Sequence, residues 1–242
     1  MAFIYGKNLL RESILNNKSL KCIYINSKYH ELYNLAKSKN INIKVVDDEY
    51  LKNIIKDNAI QSSKIQGIVG IIEDYKYSSL EDIVSNAYKE YPLIVMLDSL
   101  EDPHNLGAIL RTCDAAKVDG VIIGKNRSVR LNDTVARVST GAIEYVKVCE
   151  VTNLTETIKK LKKLGYWIVG AEYTESSVDF RSIKYDMPTC LVIGSEGKGI
   201  SSLVTKNCDF LVKIPMFGHV NSLNASVSGS ILIYEILKYH NK

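Results

Sequence analysis

Polar side chains at fixed offsets follow apolar runs at three places in this chain. Asn105 and Arg111 bracket Asn105-Leu-Gly-Ala-Ile-Leu-Arg111, Glu196 sits in Gly194-Ser-Glu-Gly-Lys-Gly199, and Ile214-Pro-Met216 is followed by Ser222-Leu-Asn224. Two amides, a carboxylate, a hydroxyl and a guanidinium can orient a polar substrate and clamp charge without a metal. The preceding runs, Leu93-Ile-Val-Met-Leu97, Cys190-Leu-Val-Ile193 and Phe210-Leu-Val-Lys-Ile214, read as buried parallel strands. Ligands collect at such strand ends in open α/β sheets.

Taken singly, each segment has a plainer reading. The glycine string fails the phosphate-loop pattern because Ile200 follows Gly199, and its spacing fails the dinucleotide pattern. Alone it reads as a tight turn without a ligand role, although Gly194, Gly197 and Gly199 right after a strand provide left-handed conformations and close backbone approach to a bound group. Glu196 then caps a helix near Ser201 or pairs with an arginine, Arg111 is a surface arginine, and Asn105, after Asp102-Pro103, is turn or N-cap chemistry.

The elements around these segments suggest two domains. Strands at 21–25, 41–46 and 68–72 with helices at 29–38 and 48–55 form an α/β unit over residues 1–74, and the polar stretch 73–79 opens a linker over 75–91 that contains a helix at 80–89. Beyond Pro92 strands (93–97, 120–123, 145–149, 166–170, 190–194, 210–214) alternate with helices (105–117, 133–139, 154–164, 201–206, 222–239), predicting a mostly parallel sheet covered on both faces over 92–242. The last helix opens with Asn224-Ala-Ser-Val-Ser-Gly-Ser230, a run of small residues that lets another backbone or a ligand approach.

Composition narrows the setting. The 242 residues carry a formal charge of +4, of which +3 falls in residues 1–74 with 11 Lys/Arg against 8 Asp/Glu, a hint of a polyanionic partner. Five scattered cysteines without a C-x-x-C pair fit reduced thiols in the cytoplasm. Neither they nor the four histidines show metal-ligand spacing. No stretch is apolar over the roughly 18 residues needed to span a bilayer, and the N-terminus lacks an export signal, so a soluble protein with no membrane partner is expected.

The three segments together, in this order, resemble the SpoU branch of the SPOUT class of RNA 2′-O-methyltransferases. Asn and Arg six residues apart form that family's first motif, Gly-x-Glu-Gly its second, and Ile-Pro-Met then Ser-Leu-Asn its third. Ile4-Tyr-Gly6 and Gln66-Gly-Ile68 are similar to the bacterial enzymes that methylate a guanosine in the peptidyl-site loop of large-subunit ribosomal RNA. Departures fall at Lys64-Ile65-Gln66, where many relatives carry His before Gln, and at Arg137, commonly Lys.

The resemblance implies transfer of a methyl group from S-adenosylmethionine to a ribose 2′-hydroxyl. It implies a ribosomal-protein-like RNA-binding domain at 1–74, a SPOUT domain with a trefoil knot at 92–242, and a homodimer whose sites are shared between protomers across the helix after Asn105 and the terminal helix. Gly194, Ile214 and Leu223 would grip the cofactor through main-chain groups, and Asn105, Arg111, Glu196, Ser222 and Asn224 would serve the acceptor. A guanidinium with a pKa above about 12 is a reluctant base, so Arg111 is read as a clamp on the phosphate beside the target ribose that lowers the hydroxyl's pKa, with base character left open. Transfer RNA or another ribosomal position, including a resistance-type methylation, stays open as the substrate. So does a non-catalytic RNA-binding assembly factor, whereas failure of both phosphate patterns argues against a kinase or dehydrogenase.

Overall fold

Residues 2–15, 20–57, 67–72, 75–85 and 90–240 are described by the computed structural model, and the chain divides between Tyr75 and Lys76 into two units. In the first, β1 (Ala2–Tyr5), α1 (Lys7–Leu15), β2 (Leu20–Ile25), α2 (His30–Ser38), β3 (Ile43–Val45), α3 (Asp48–Asp57) and β4 (Ile68–Ile72) follow one another. The sheet order is β1-β4-β2-β3, with β4 antiparallel to both neighbours and β2 parallel to β3. Ile23, Ile25 and Ile68 pack against Leu10 and Ile14 of α1 and Leu32 and Ala36 of α2. Neither β1 nor α1 is among the elements expected from sequence, where the first strand is 21–25; β1 has only four residues and its partner is the distant β4. The strand expected at 41–46 shortens because the Ile41 amide bonds the Ala36 carbonyl at 3.0 Å and closes α2. Lys64, Ile65 and Gln66 lie outside the described residues.

The second unit runs α4 (Leu80–Val84), β5 (Leu93–Leu97), α5 (Pro103–Ala115), β6 (Gly120–Gly124), α6 (Asp133–Val138), β7 (Val148–Val151), α7 (Leu154–Lys163), β8 (Trp167–Ala171), β9 (Val178–Asp179), β10 (Thr189–Ile193), α8 (Ser202–Thr205), β11 (Phe210–Lys213) and α9 (Ala225–His240). Its seven strands order as β7-β6-β5-β10-β8-β11-β9, every adjacent pair parallel. Every residue of β5, β6 and β10 is buried, as expected of strands covered on both sides. Alternate side chains such as Ile94, Met96, Ile122 and Val192 face Ile158 and Leu161 of α7, while α5 and α9 pack together and α9 lies on β10. The sheet is mounted from β5 outward to β7 and then resumes on the far side at β8, so a switch point falls beside β5 and β10.

Residues 77–84, read from sequence as linker, belong to this unit. The Ser78 amide bonds the Val148 carbonyl at 2.8 Å, Tyr77 Oη accepts from the Leu131 amide, and Leu80 and Ile83 enter the core. The polarity of 73–79 partly reflects a helix start, since Ser79 and Asp82 form a reciprocal cap on α4. The strand expected at 145–149 begins only at Val148, after a 3₁₀ turn at Ala142–Glu144 that follows Gly141 in a left-handed conformation. The two-residue β9 was not anticipated; it adds to the edge at β11 and is too short to leave a period.

Candidate active site

Asp102, not Asn105, caps α5: its side chain accepts from the His104 amide at 2.9 Å, with Pro103 in the first position. Asn105 is thereby released for another task and sits 4 % exposed in the first turn. Its Nδ2 donates to Glu196 Oε1 at 3.0 Å. Asn224 donates through Nδ2 to Asn105 Oδ1 at 2.9 Å and also to Glu196 Oε1. The other end of the Asn224 amide caps α9, Oδ1 accepting from the Ser226 amide at 2.9 Å and from Ser226 Oγ at 2.6 Å. That cap fixes which way the amide points, because only its oxygen can accept from helix N–H groups. It also explains why the last helix starts at Ala225 and not at residue 222.

Glu196 is carried by a closed turn. Ser195 and Gly199 exchange backbone hydrogen bonds of 3.1 and 3.0 Å. A Cβ on Gly194 would lie 2.1 Å from the Gly199 carbonyl carbon, so the space opened by Gly194 is filled by the turn's own backbone. The close approach this glycine permits is thus, within the chain, to the backbone of its own turn. Two carboxylates hold the turn's exit: Glu172 Oε2 accepts from the Ile200 amide at 2.6 Å, and Asp98 Oδ2 from the Ser201 amide at 2.8 Å. Glu196 does not cap the helix near Ser201: α8 has no side-chain cap, and the Ser201 amide is held by Asp98. Glu172 and Asp98 escaped the sequence reading; their one signal was a carboxylate directly after a buried strand, β8 and β5 respectively.

The ends of β10, β8 and β11, the loop 214–224 and the start of α9 enclose a cavity of about 580 Å³. Gly194, Glu196, Ile214, Ser222, Leu223 and Asn224 all line it, and Asn105 joins through its bonds to Glu196 and Asn224. Arg111 does not: it is exposed on α5, and six residues of helix turn it about 240° from Asn105. The small residues of α9 meet neighbours as the sequence required, Gly229 against Ile193 of β10 and Ser230 Oγ against Thr112 Oγ1 of α5 at 2.8 Å. Among the described residues no group of three or more His, Cys, Asp or Glu could hold a metal ion, and no helix is long and apolar enough to cross a membrane.

The sequence profile of the SpoU rRNA methylase family matches residues 92–234, the segment that carries this cavity. A TrmH family tRNA/rRNA methyltransferase of Staphylococcus haemolyticus is 43 % identical over 97 % of the chain and 94 % of its own length. The chain belongs to the SpoU rRNA methylase family. Residues 3–78 match the profile of an RNA 2′-O ribose methyltransferase substrate-binding domain. As a SpoU methylase the chain shares its fold with an S-adenosylmethionine-bound rRNA methyltransferase from Sinorhizobium meliloti (TM-score 0.65, 23 % identity, 98 % of this chain and 87 % of that one). A TrmH/SpoU tRNA modifying enzyme from A. aeolicus covers 67 % of this chain and 81 % of its own, with a TM-score of 0.58 and 30 % identity. The chain is thus an RNA methyltransferase of this family.

Proposed function

We propose that this SpoU methylase transfers a methyl group from S-adenosylmethionine to a ribose 2′-hydroxyl of RNA, a guanosine of large-subunit ribosomal RNA being the target. The observation that carries the reading is the convergence of Asn105, Glu196 and Asn224 at the rim of one cavity. Its volume lies within the range of about 300–1,000 Å³ typical of small-ligand sites. Ile193, Ile214 and Leu223 offer apolar surface to an adenine, while Glu172, Glu196 and Lys213 offer charges of both signs to a cationic, zwitterionic molecule. The bound cofactor supplies an electrophilic methyl group, so what remains for the protein is alignment and removal of a proton.

Glu196 Oε1 takes both amide donors, and Oε2 has no hydrogen bond among the described residues. One oxygen fixes the carboxylate and the other is left to accept from the acceptor hydroxyl. Ser222, lining the same cavity, provides a second hydrogen-bonding group there. Arg111, turned away from this cluster, would serve a second copy, clamping the phosphate beside the target ribose and lowering the hydroxyl's pKa. A homodimer built on α5 and α9 is supported by Val227, Ile231 and Tyr234, which leave an exposed apolar row on α9 at 46 %, 36 % and 52 %. The trefoil knot expected of the C-terminal segment belongs to this reading, in keeping with the strand order and the loop 214–224 over the cavity.

The first unit fits RNA binding through its match to a substrate-binding domain and its basic excess. Calorimetric titration with S-adenosylmethionine tests the cofactor, and comparison of 2′-O-methyl sites in ribosomal and transfer RNA with and without the gene tests the substrate. Loss of one guanosine mark in large-subunit RNA is the expected result. Loss of a transfer RNA mark instead, the substrate class named for the A. aeolicus structure, would move the enzyme to that substrate.

A further inference from the structure

The Glu196 turn is held by side chains from the strands on either side of β10, and the two holds are unequal. Asp98 leaves the end of β5, 4 % exposed, with its second oxygen engaged by Ser99 Oγ at 3.0 Å. Glu172 leaves the end of β8, where its amide bonds the Val212 carbonyl at 3.0 Å, and its carboxylate lines the cavity while accepting from the Ile200 amide. A Cβ on Gly199 would fall 2.2 Å from Glu172 Oε2, and Gly199 has φ +64. The turn is therefore shaped around this carboxylate: the residue beneath it lacks a side chain, and the amide after it points at it.

We propose that Glu172 is a positioning residue of the methyl-transfer site, locking the 195–199 turn so that Glu196 meets Asn105 and Asn224. The proposal rests on the function assigned above. Its reach follows from connectivity: Ser195 and Gly199 are bonded to each other, so fixing Ile200 fixes the far end of a closed ring that carries Glu196. The bond joins the end of β8 to the residue that closes the turn after β10, beside the backbone ladder these two strands share.

The test uses the full-length chain as wild type, Glu172→Ala and Glu172→Gln. It reads Ile200 amide exchange by NMR, affinity for S-adenosylmethionine by calorimetry, and kcat on large-subunit ribosomal RNA, the proposed substrate. In Glu172→Ala the Ile200 amide exchanges at least tenfold faster, the Kd rises about tenfold with unchanged stoichiometry, and kcat falls. Glu172→Gln, whose amide oxygen can accept the same bond, stays within about threefold of wild type in all three. A role confined to stability would reduce the binding-competent fraction and leave Kd and kcat per folded site alone, overturning the proposal. Failure of Gln to rescue affinity while Ile200 stays protected would make Glu172 a ligand contact, also overturning it. Should Glu172→Ala not fold, Glu172→Asp, which draws the acceptor back by one methylene, carries the same expectation. Absence of cofactor binding by the wild type would instead remove the assigned function, with Ile200 exchange still judging the lock.

Discussion

Asn224 spends both ends of one amide, the oxygen on the first turn of α9 and the nitrogen on Asn105 and Glu196. The two duties are separable by substitution. Asn224→Ala loses both, with a stability loss of about 1 kcal/mol from the missing cap and methyl transfer reduced at least a hundredfold. Asn224→Ser keeps an oxygen able to cap but cannot reach Glu196, so thermal denaturation should place it close to wild type while activity stays as low as in the alanine variant. Equal stability losses for both would deny the cap its role. At the same scale, burial pushes the Cys113 and Cys190 thiols far above the ordinary thiol range and Cys208 up to about 12. A thiol reagent at pH 8 should therefore leave these three unmodified in the folded chain and label them in denaturant, since the thiolate is the reacting form.

Among the elements, α5 is placed by a single missing side chain. A Cβ on Gly107 would lie 2.7 Å from Val138 Cβ and 3.1 Å from the Val135 carbonyl of α6, neither of which can swing aside. Gly107→Ala should cost roughly 1–3 kcal/mol in denaturant unfolding despite the better helix propensity of alanine. Gly218→Ala, with nothing within 4 Å of its Cβ, should be near neutral. Most of the parallel sheet was legible because β5, β6 and β10 are continuous apolar runs that only double-sided burial explains. What stayed hidden is held by distant partners: β1 by β4, β9 by β11, and residues 77–84 by the Leu131 and Val148 backbone and the core. At the site the motif residues were legible as types at offsets. Their division of labour was not, because a cap and a hydrogen-bonded hub look alike in sequence until Asp102 is seen to hold α5 and Asp98 to hold Ser201.

The whole molecule separates into units whose tasks can be assayed apart. Residues 1–75 should fold alone and bind RNA with an affinity that falls as salt rises. Residues 76–242 should keep cofactor binding and methylate RNA poorly; full activity of that piece would remove substrate selection from the first unit. Because Arg111 is turned away from its own chain's cluster, mixing Arg111→Ala with Asn224→Ser should restore activity once subunit exchange is shown by mass spectrometry of tagged chains. A mixed dimer then assembles one site free of lesions. A dead mixture would mean that each chain carries its whole site.

The hydrogen bonds of the cluster span 91 positions from Asn105 to Glu196 and 119 from Asn105 to Asn224. During synthesis, then, the sheet from β5 to β11 can be complete while the hydrogen-bonded cluster does not yet exist. Asn224 must clear the ribosome before Asn105 and Glu196 acquire their common partner, and it is made after every strand of the sheet. A nascent chain whose first unit is already folded would therefore engage RNA without modifying it, and competence would arrive in one step, when Asn224 joins Asn105 and Glu196.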